Sequence, residues 1–287
     1  MQKKSSKKIS LKKPVFKKSS PSPKASSSSR VSWLQVVWIA NVVAFIAVLV
    51  VNYLAVNLPI GGMTTGALAD LYPNLFTPAG FTFSIWGVIY LALLGFVIWQ
   101  LVDLFKKKSF GITNKVGVRF LLSCLANISW IFAWHYQQVF LSVLIMLAFL
   151  IILIVIANTL QFGKKMWTWW DKLLVQVPFS LYLGWISVAT IANISTWLVH
   201  INRSMRGMNP IFWTMSVIVV ATLLALIALW RTSNIVFALV VIWAFVGIIF
   251  KTLWALVVYS QIVWLLGICI AIITMGIGLR FEHWRKN

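Results

Sequence analysis

The chain repeatedly runs for more than 18 residues without a charge, and that feature constrains it most. From Val139 to Gln161, for example, no residue is charged. A helix of this length crosses the roughly 30 Å hydrocarbon layer of a bilayer, whereas a spanning strand needs only about ten residues. In lipid the backbone must satisfy its own N–H and C=O groups, which leaves helices or closed barrels. Long unbroken runs select the helix. Charged residues make up 10% of the sequence, with a mean hydropathy of +0.93, against about 25% charged in a soluble domain. The fold class expected is all-α: a polytopic membrane protein with eight transmembrane helices.

Those eight spans are expected near 34–57, 79–102, 116–137, 139–161, 173–195, 210–230, 234–257 and 262–280. The third and fourth have almost no loop between them and should form an antiparallel hairpin. Residues 1–30 hold nine Lys and Arg30, ten Ser, three Pro and no acid, a composition that cannot bury a core. This basic tail is expected to be disordered. It reads either as a topogenic, solubilising segment or as a tether to anionic lipid or nucleic acid. The apolar run after Trp33 is far longer than the core of a cleaved signal peptide. Short-loop Lys and Arg cluster on one side: the tail, Lys106 to Lys108, Lys164 and Lys165, Arg231, and Arg280 to Lys286. The positive-inside bias then places both termini in the cytoplasm, in a bacterial inner membrane or an organelle membrane. The opposite side carries residues 58–78, expected as an ordered lid or re-entrant turn. It also carries Ser195 to Met208, expected as a short interfacial helix.

Four acids in the whole chain (Asp70, Asp103, Asp171, Glu282) leave little for paired-carboxylate catalysis or a carboxylate proton relay. No phosphate loop, HExxH or thiolate cluster is present. An enzyme is therefore disfavoured but left open, and it would have to rely on tryptophan photochemistry or redox chemistry. No metal site and no resident cofactor follow. Cys124 and Cys269 lie in different apolar runs and read as small core hydrophobes.

The 17 tryptophans offer more. Most lie near span ends, where aromatic belts sit; Trp38 and Trp134 are among them. Trp86, Trp130, Trp185 and Trp243 are deep. In TPAGFTFSIWGVIY (77–90) a Pro-Gly turn feeds a helix on which Phe83, Trp86 and Tyr90 fall at i, i+3 and i+7. Trp86 then lies roughly 10 Å from the helix start. Asn127, Trp130 and Trp134 repeat that spacing in the third span, and Trp185, Ala189 and Asn193 fall at i, i+4 and i+8 in the fifth. Two readings stand: an aromatic pocket with a few amides for a flat apolar ligand, or helix packing with Asn as interhelical glue.

These residues resemble the TspO/MBR family, the tryptophan-rich sensory proteins that include the mitochondrial translocator protein. Pro78 with Phe83, Trp86 and Tyr90 is similar to the family's proline followed by aromatic-x-x-W-x-x-x-Y. Asn127 and Trp130 match its N-x-x-W, and WISVATIAN (185–193) is similar to its W-x-S-F-A-T-x-L-N. The resemblance covers about residues 35–200. It implies a five-helix core over 31–208, often dimeric, that binds porphyrins or other planar hydrophobic molecules. Three further helices and a short basic end would occupy 209–287. Carried over by motif, it implies a ligand site of Trp86, Asn127, Trp185 and Ala189, capped by the 58–78 segment, to which the spacing adds Phe83, Tyr90, Trp130 and Asn193; the role expected is sensory, regulatory or carrier. A transporter of a small hydrophobic molecule and an enzyme degrading a bound tetrapyrrole are the alternatives. Porphyrin or haem would come as a ligand. Two departures are plain. Ser84 and Ile85 stand where the family usually has a proline before the tryptophan, and no Tyr follows Asn193 before Arg203, so a sterol-associated pattern is missing.

Three cations remain. Lys251, Arg203 and Arg206 share the lid side and either snorkel to the interface or meet a ligand's anionic group. His135 and His200 lie there too, as interfacial residues or, less commonly, axial haem ligands. Ala221/Ala225 and Gly267/Ala271 are small-xxx-small pairs that permit close packing, where the last helices dock or at a homodimer face. The partners expected are thus the lipid bilayer, a hydrophobic ligand, a second copy of the chain, and anionic lipid for the tail.

Overall fold

The computed structural model describes residues 27–57, 60–105, 112–162, 168–201 and 209–286. Among them every regular element is helical: α1 (Ser27–Asn57), α2 (Thr65–Asp70), α3 (Ile85–Phe105), α4 (Ile112–His135), α5 (Val139–Leu160), α6 (Trp169–Asp171), α7 (Val177–Ile201), α8 (Pro210–Thr232), α9 (Ile235–Trp254) and α10 (Ser260–Lys286). Eight stretches are long and apolar enough to cross a membrane, as the charge-free runs predict. The protein is an integral, multi-pass helical membrane protein.

Local chemistry sets the boundaries. Between α4 and α5, Gln137 takes a left-handed conformation (φ 54°), which reverses the chain in three residues. Asn209 accepts from the backbone N–H groups of Ile211 and Phe212, with Pro210 in the first turn of α8. Such a cap satisfies orphan donors where proline costs no hydrogen bond. Ser233 (φ 53°) closes α8, and Asn234 at once caps α9 by accepting from Phe237 N–H. Thr168 and Asp171 form a reciprocal capping box. It opens α6, from which a π-helical turn over Lys172–Gln176 leads into α7.

α4 packs between α1 and α5, and α5 packs on α7. α7 also carries α3 on one side and α9 on another, while α8, α9 and α10 pack on one another. The last three helices are therefore held to the first five mainly through α9. The Pro78 turn is part of that joint. Ala79 N–H donates to Gly247 O (3.1 Å), and Trp243 Nε1 donates to Thr82 O (3.0 Å). A Cβ on Gly247 would run into the Thr82 side chain, so glycine is the residue that lets the turn seat on α9.

Several expectations change. The helix expected from Pro78 begins as a 3-10 turn over Gly80–Ser84, and α3 proper starts at Ile85. The short interfacial helix expected over Ser195 to Met208 is absent as a separate element up to Ile201. Those residues continue α7, because the apolar positions hold helical register with the span. Arg203 and Arg206 lie outside the described residues, as does the basic tail up to residue 26. The stretch 27–30, expected to be disordered, is the first turn of α1. Of the two small-residue pairs, Ala221 and Ala225 are buried, whereas Gly267 and Ala271 are exposed.

Candidate functional site

Three helices, α3, α4 and α7, bring Trp86, Trp130 and Trp185 to one level near the end of the bundle that carries the α1–α3 connection, here termed the lid end, while Trp243, on α9, packs against Phe81. Trp86 stacks on Tyr90 (centroids 5.4 Å, planes 19°) and lies 6.4 Å from Trp130, which stacks on Trp134 (5.8 Å, 17°). Trp185 meets Trp86 and Phe83 edge-to-face (6.2 and 5.8 Å), an arrangement that aligns ring edges with π faces. The i, i+3, i+7 spacing of Phe83, Trp86 and Tyr90 thus survives the change from 3-10 to α geometry.

Inside this cluster is a narrow cavity of about 40 Å³, enough for a water molecule or two. Phe83, Trp86, Trp130, Trp185, Ala189 and Asn193, all expected at a site, line it. Pro78, Thr65 and Ala69 line it as well, so the turn and α2 form its roof. Beside it a crevice of about 730 Å³ runs between α1 and α3, lined by Asn52, Tyr53, Thr65, Phe83, Trp86 and Tyr90 among others. Thr65, Phe83 and Trp86 border both spaces, and the Phe83/Trp86 face is the partition between them.

Two expected site residues lie elsewhere. Tyr90 borders the crevice and not the aromatic cavity. Asn127 is fully buried behind it: its Oδ1 accepts from Asn52 Nδ2 (2.8 Å) and its Nδ2 donates to the Tyr90 hydroxyl (3.4 Å). Asn127 therefore ties α1, α3 and α4 together. Sequence spacing places a residue on a helix face but does not say which neighbour that face meets.

The indole donors divide sharply. Trp130 Nε1 donates to Asn193 Oδ1 (2.9 Å), and Asn193 also exchanges hydrogen bonds with Ser142. Trp134 Nε1 donates to Thr65 O (3.2 Å). Trp185 is 2% exposed, and its Nε1 has no hydrogen-bond partner among the described residues. Trp134 and Trp38, expected in the belt, are both buried. Trp134 is bound to the lid, and Trp38 Nε1 has no partner among the described residues. Near Trp38 in sequence, Asn41 bonds weakly to Gln100 (3.5 Å), leaving Asn41 Oδ1 and Gln100 Nε2 without partners.

The lid is latched at both ends. His135 Nδ1 donates to Ile60 O (2.8 Å), and its Nε2 pairs with the Thr65 hydroxyl (3.1 Å). Both ring nitrogens are engaged in holding the lid, so haem ligation there would break these bonds. His200 packs edge-on against Tyr72 (5.7 Å), and burial raises the Tyr72 hydroxyl above its ordinary pKa. At the far end of α2, Asp70 accepts from Lys251 Nζ (2.6 Å). Lys251 was expected either to snorkel or to meet a ligand; here its nearest anion is the lid itself. Among the described residues no three His, Cys, Asp or Glu side chains gather as a metal site.

No protein of curated function and no solved structure matches the chain. The family model described as TSPO-like protein matches residues 37–279, a stretch that takes in the aromatic cavity, the lid and all but the first residues of the eight spans. The chain belongs to the TSPO-like protein family.

Proposed function

We propose that this protein binds a planar hydrophobic ligand, such as a porphyrin, between α3, α4 and α7, and serves as a sensor, regulator or carrier of it. The observation that carries this reading is a cavity walled by aromatic rings, with the buried Trp185 N–H in its wall lacking a hydrogen-bond partner among the described residues. A buried donor without a partner costs free energy. A ligand acceptor on that N–H recovers this cost, while the faces of Trp86 and Trp130, tilted 31° to each other, receive a flat π system. Apolar walls with one or two directing polar groups are the usual composition of small-molecule sites.

The aromatic cavity is far smaller than the roughly 300 Å³ at which such sites begin. The adjoining crevice supplies the room. A tetrapyrrole-sized ligand would occupy both, with the Trp86 ring turning out of the partition and α2 lifting from the roof. Binding then couples to lid position, which suits a sensory or carrier role. The test is a titration of purified protein with protoporphyrin IX, followed by tryptophan quenching and the Soret band. Saturable binding that weakens in Trp86→Phe and in Trp185→Phe supports the site. Non-saturable quenching, equal in all three proteins, overturns it. A light-dependent loss of the Soret band in wild type alone moves the reading toward an enzyme.

A further inference from the structure

A separate cavity of about 480 Å³ opens at the lid end, between the chain after α2 and the C-terminal helices. It shares no lining residue with the aromatic cavity. Asp70 and Lys251 stand in its wall beside Leu75, Val199, Trp213 and Tyr259. Its volume suits a small molecule. The Lys251–Asp70 pair is 33% and 62% exposed, so water and solutes reach both charges.

The pair has unused capacity. An ammonium has three N–H donors and a carboxylate two acceptor oxygens. The 2.6 Å bond engages one donor of Lys251 and Oδ1 of Asp70. An incoming simple anion gains from Lys251 but is repelled by Asp70, and a simple cation meets the reverse. A molecule with both charges a few ångströms apart adds a charge-assisted hydrogen bond at each partner and leaves the pair intact. Trp213 Nε1 is spent on Ser195 Oγ (3.0 Å), so its ring offers the site chiefly apolar area.

We propose that this cavity is a second ligand site, for a small zwitterion whose ammonium meets Asp70, whose carboxylate or phosphate meets Lys251, and whose apolar body lies along Trp213. The chemistry is shared by a free apolar amino acid and by a phosphatidylethanolamine headgroup. The site lies where the C-terminal helices meet the lid, and because Asp70 also borders the α1–α3 crevice it is titrated with no planar ligand present.

The test is calorimetric titration of the full chain in phosphatidylcholine nanodiscs, whose quaternary ammonium offers no N–H. The probes are L-phenylalanine, 3-phenylpropionate, phenethylamine, and dihexanoyl phosphatidylethanolamine against dihexanoyl phosphatidylglycerol. A zwitterionic probe should bind at least about tenfold tighter than either singly charged analogue, the worth of one charge-assisted bond. Lys251→Met should shift preference toward phenethylamine and Asp70→Asn toward 3-phenylpropionate, while Trp185→Phe leaves the titration unchanged. Binding of phenylalanine identifies a free solute; binding of the ethanolamine lipid alone identifies a headgroup. Equal binding of charged analogues, no binding of either zwitterion, or selectivity unmoved in both variants overturns the proposal. The opposite shifts of the two variants cannot arise from a misfolded lid, which would weaken all probes alike.

Discussion

The same three helices build two aromatic clusters of opposite character. Toward the basic end, Phe96 of α3, Phe120 of α4 and Phe179 of α7 pack edge-to-face at 4.9 to 6.0 Å, with Phe45 of α1 beside them. All four are 0–2% exposed. Ten residues away on α3 and on α4, about 15 Å along each axis, Trp86 and Trp130 take the place of Phe96 and Phe120. There the packing leaves a cavity, and the buried Trp185 N–H has no partner among the described residues. Phenylalanine carries no polar atom, so its cluster closes completely. Indole brings a donor to every ring, and each donor not met by the protein is left for something else. The difference separates a level that holds the bundle together from one that holds back packing.

The largest effect should therefore come from the phenylalanine level. Phe120→Ala removes a ring touching three others and should cost about 3 kcal/mol, the low end for such truncations. Thermal unfolding in detergent would show it, with ligand affinity in the surviving folded fraction unchanged. Next comes the joint between the two parts of the bundle. Gly247→Ala sets a methyl against Thr82 and should destabilise by about 1–3 kcal/mol, as overpacking does. It should also loosen the Pro78 turn, read as faster amide exchange at Ala79, whose N–H bonds Gly247 O. Trp185→Phe inverts the pattern. It removes an unsatisfied donor, so stability should hold or rise slightly, while affinity for a planar ligand falls about tenfold with the lost hydrogen bond. A drop in stability matching that of Phe120→Ala would erase the distinction between the two levels. The smallest effect belongs to Asp70→Asn: an exposed pair is worth about 0.2–1 kcal/mol. Thermal unfolding should barely move, while proteolysis within the lid quickens and does so less at high salt, where the wild-type pair is already screened.

The number, length and order of the spans were legible in the chain because each depends on a local property, the charge-free apolar run. The deep placement of Trp86, Trp130 and Trp185 was equally legible from helical periodicity. Asparagine as interhelical glue was one of the two readings of that spacing, and Trp130 of α4 does bond Asn193 of α7. Trp134 and Trp38 misled, since distance from a span end cannot distinguish a belt residue facing lipid from one turned inward beneath a lid.

Sequence by itself thus determined that the chain is a helical membrane bundle with an aromatic stripe on three of its spans. Tertiary structure alone decided which indole lacks a partner, that Asn127 braces α1 instead of lining the cavity, and that Lys251 reaches Asp70 across 181 residues. The physical reason is range. Hydropathy and helix capping act within one turn or one span, whereas the pairing of a donor depends on which face of which helix arrives opposite it. Docking the last three helices through Gly247 sets that arrangement at the lid.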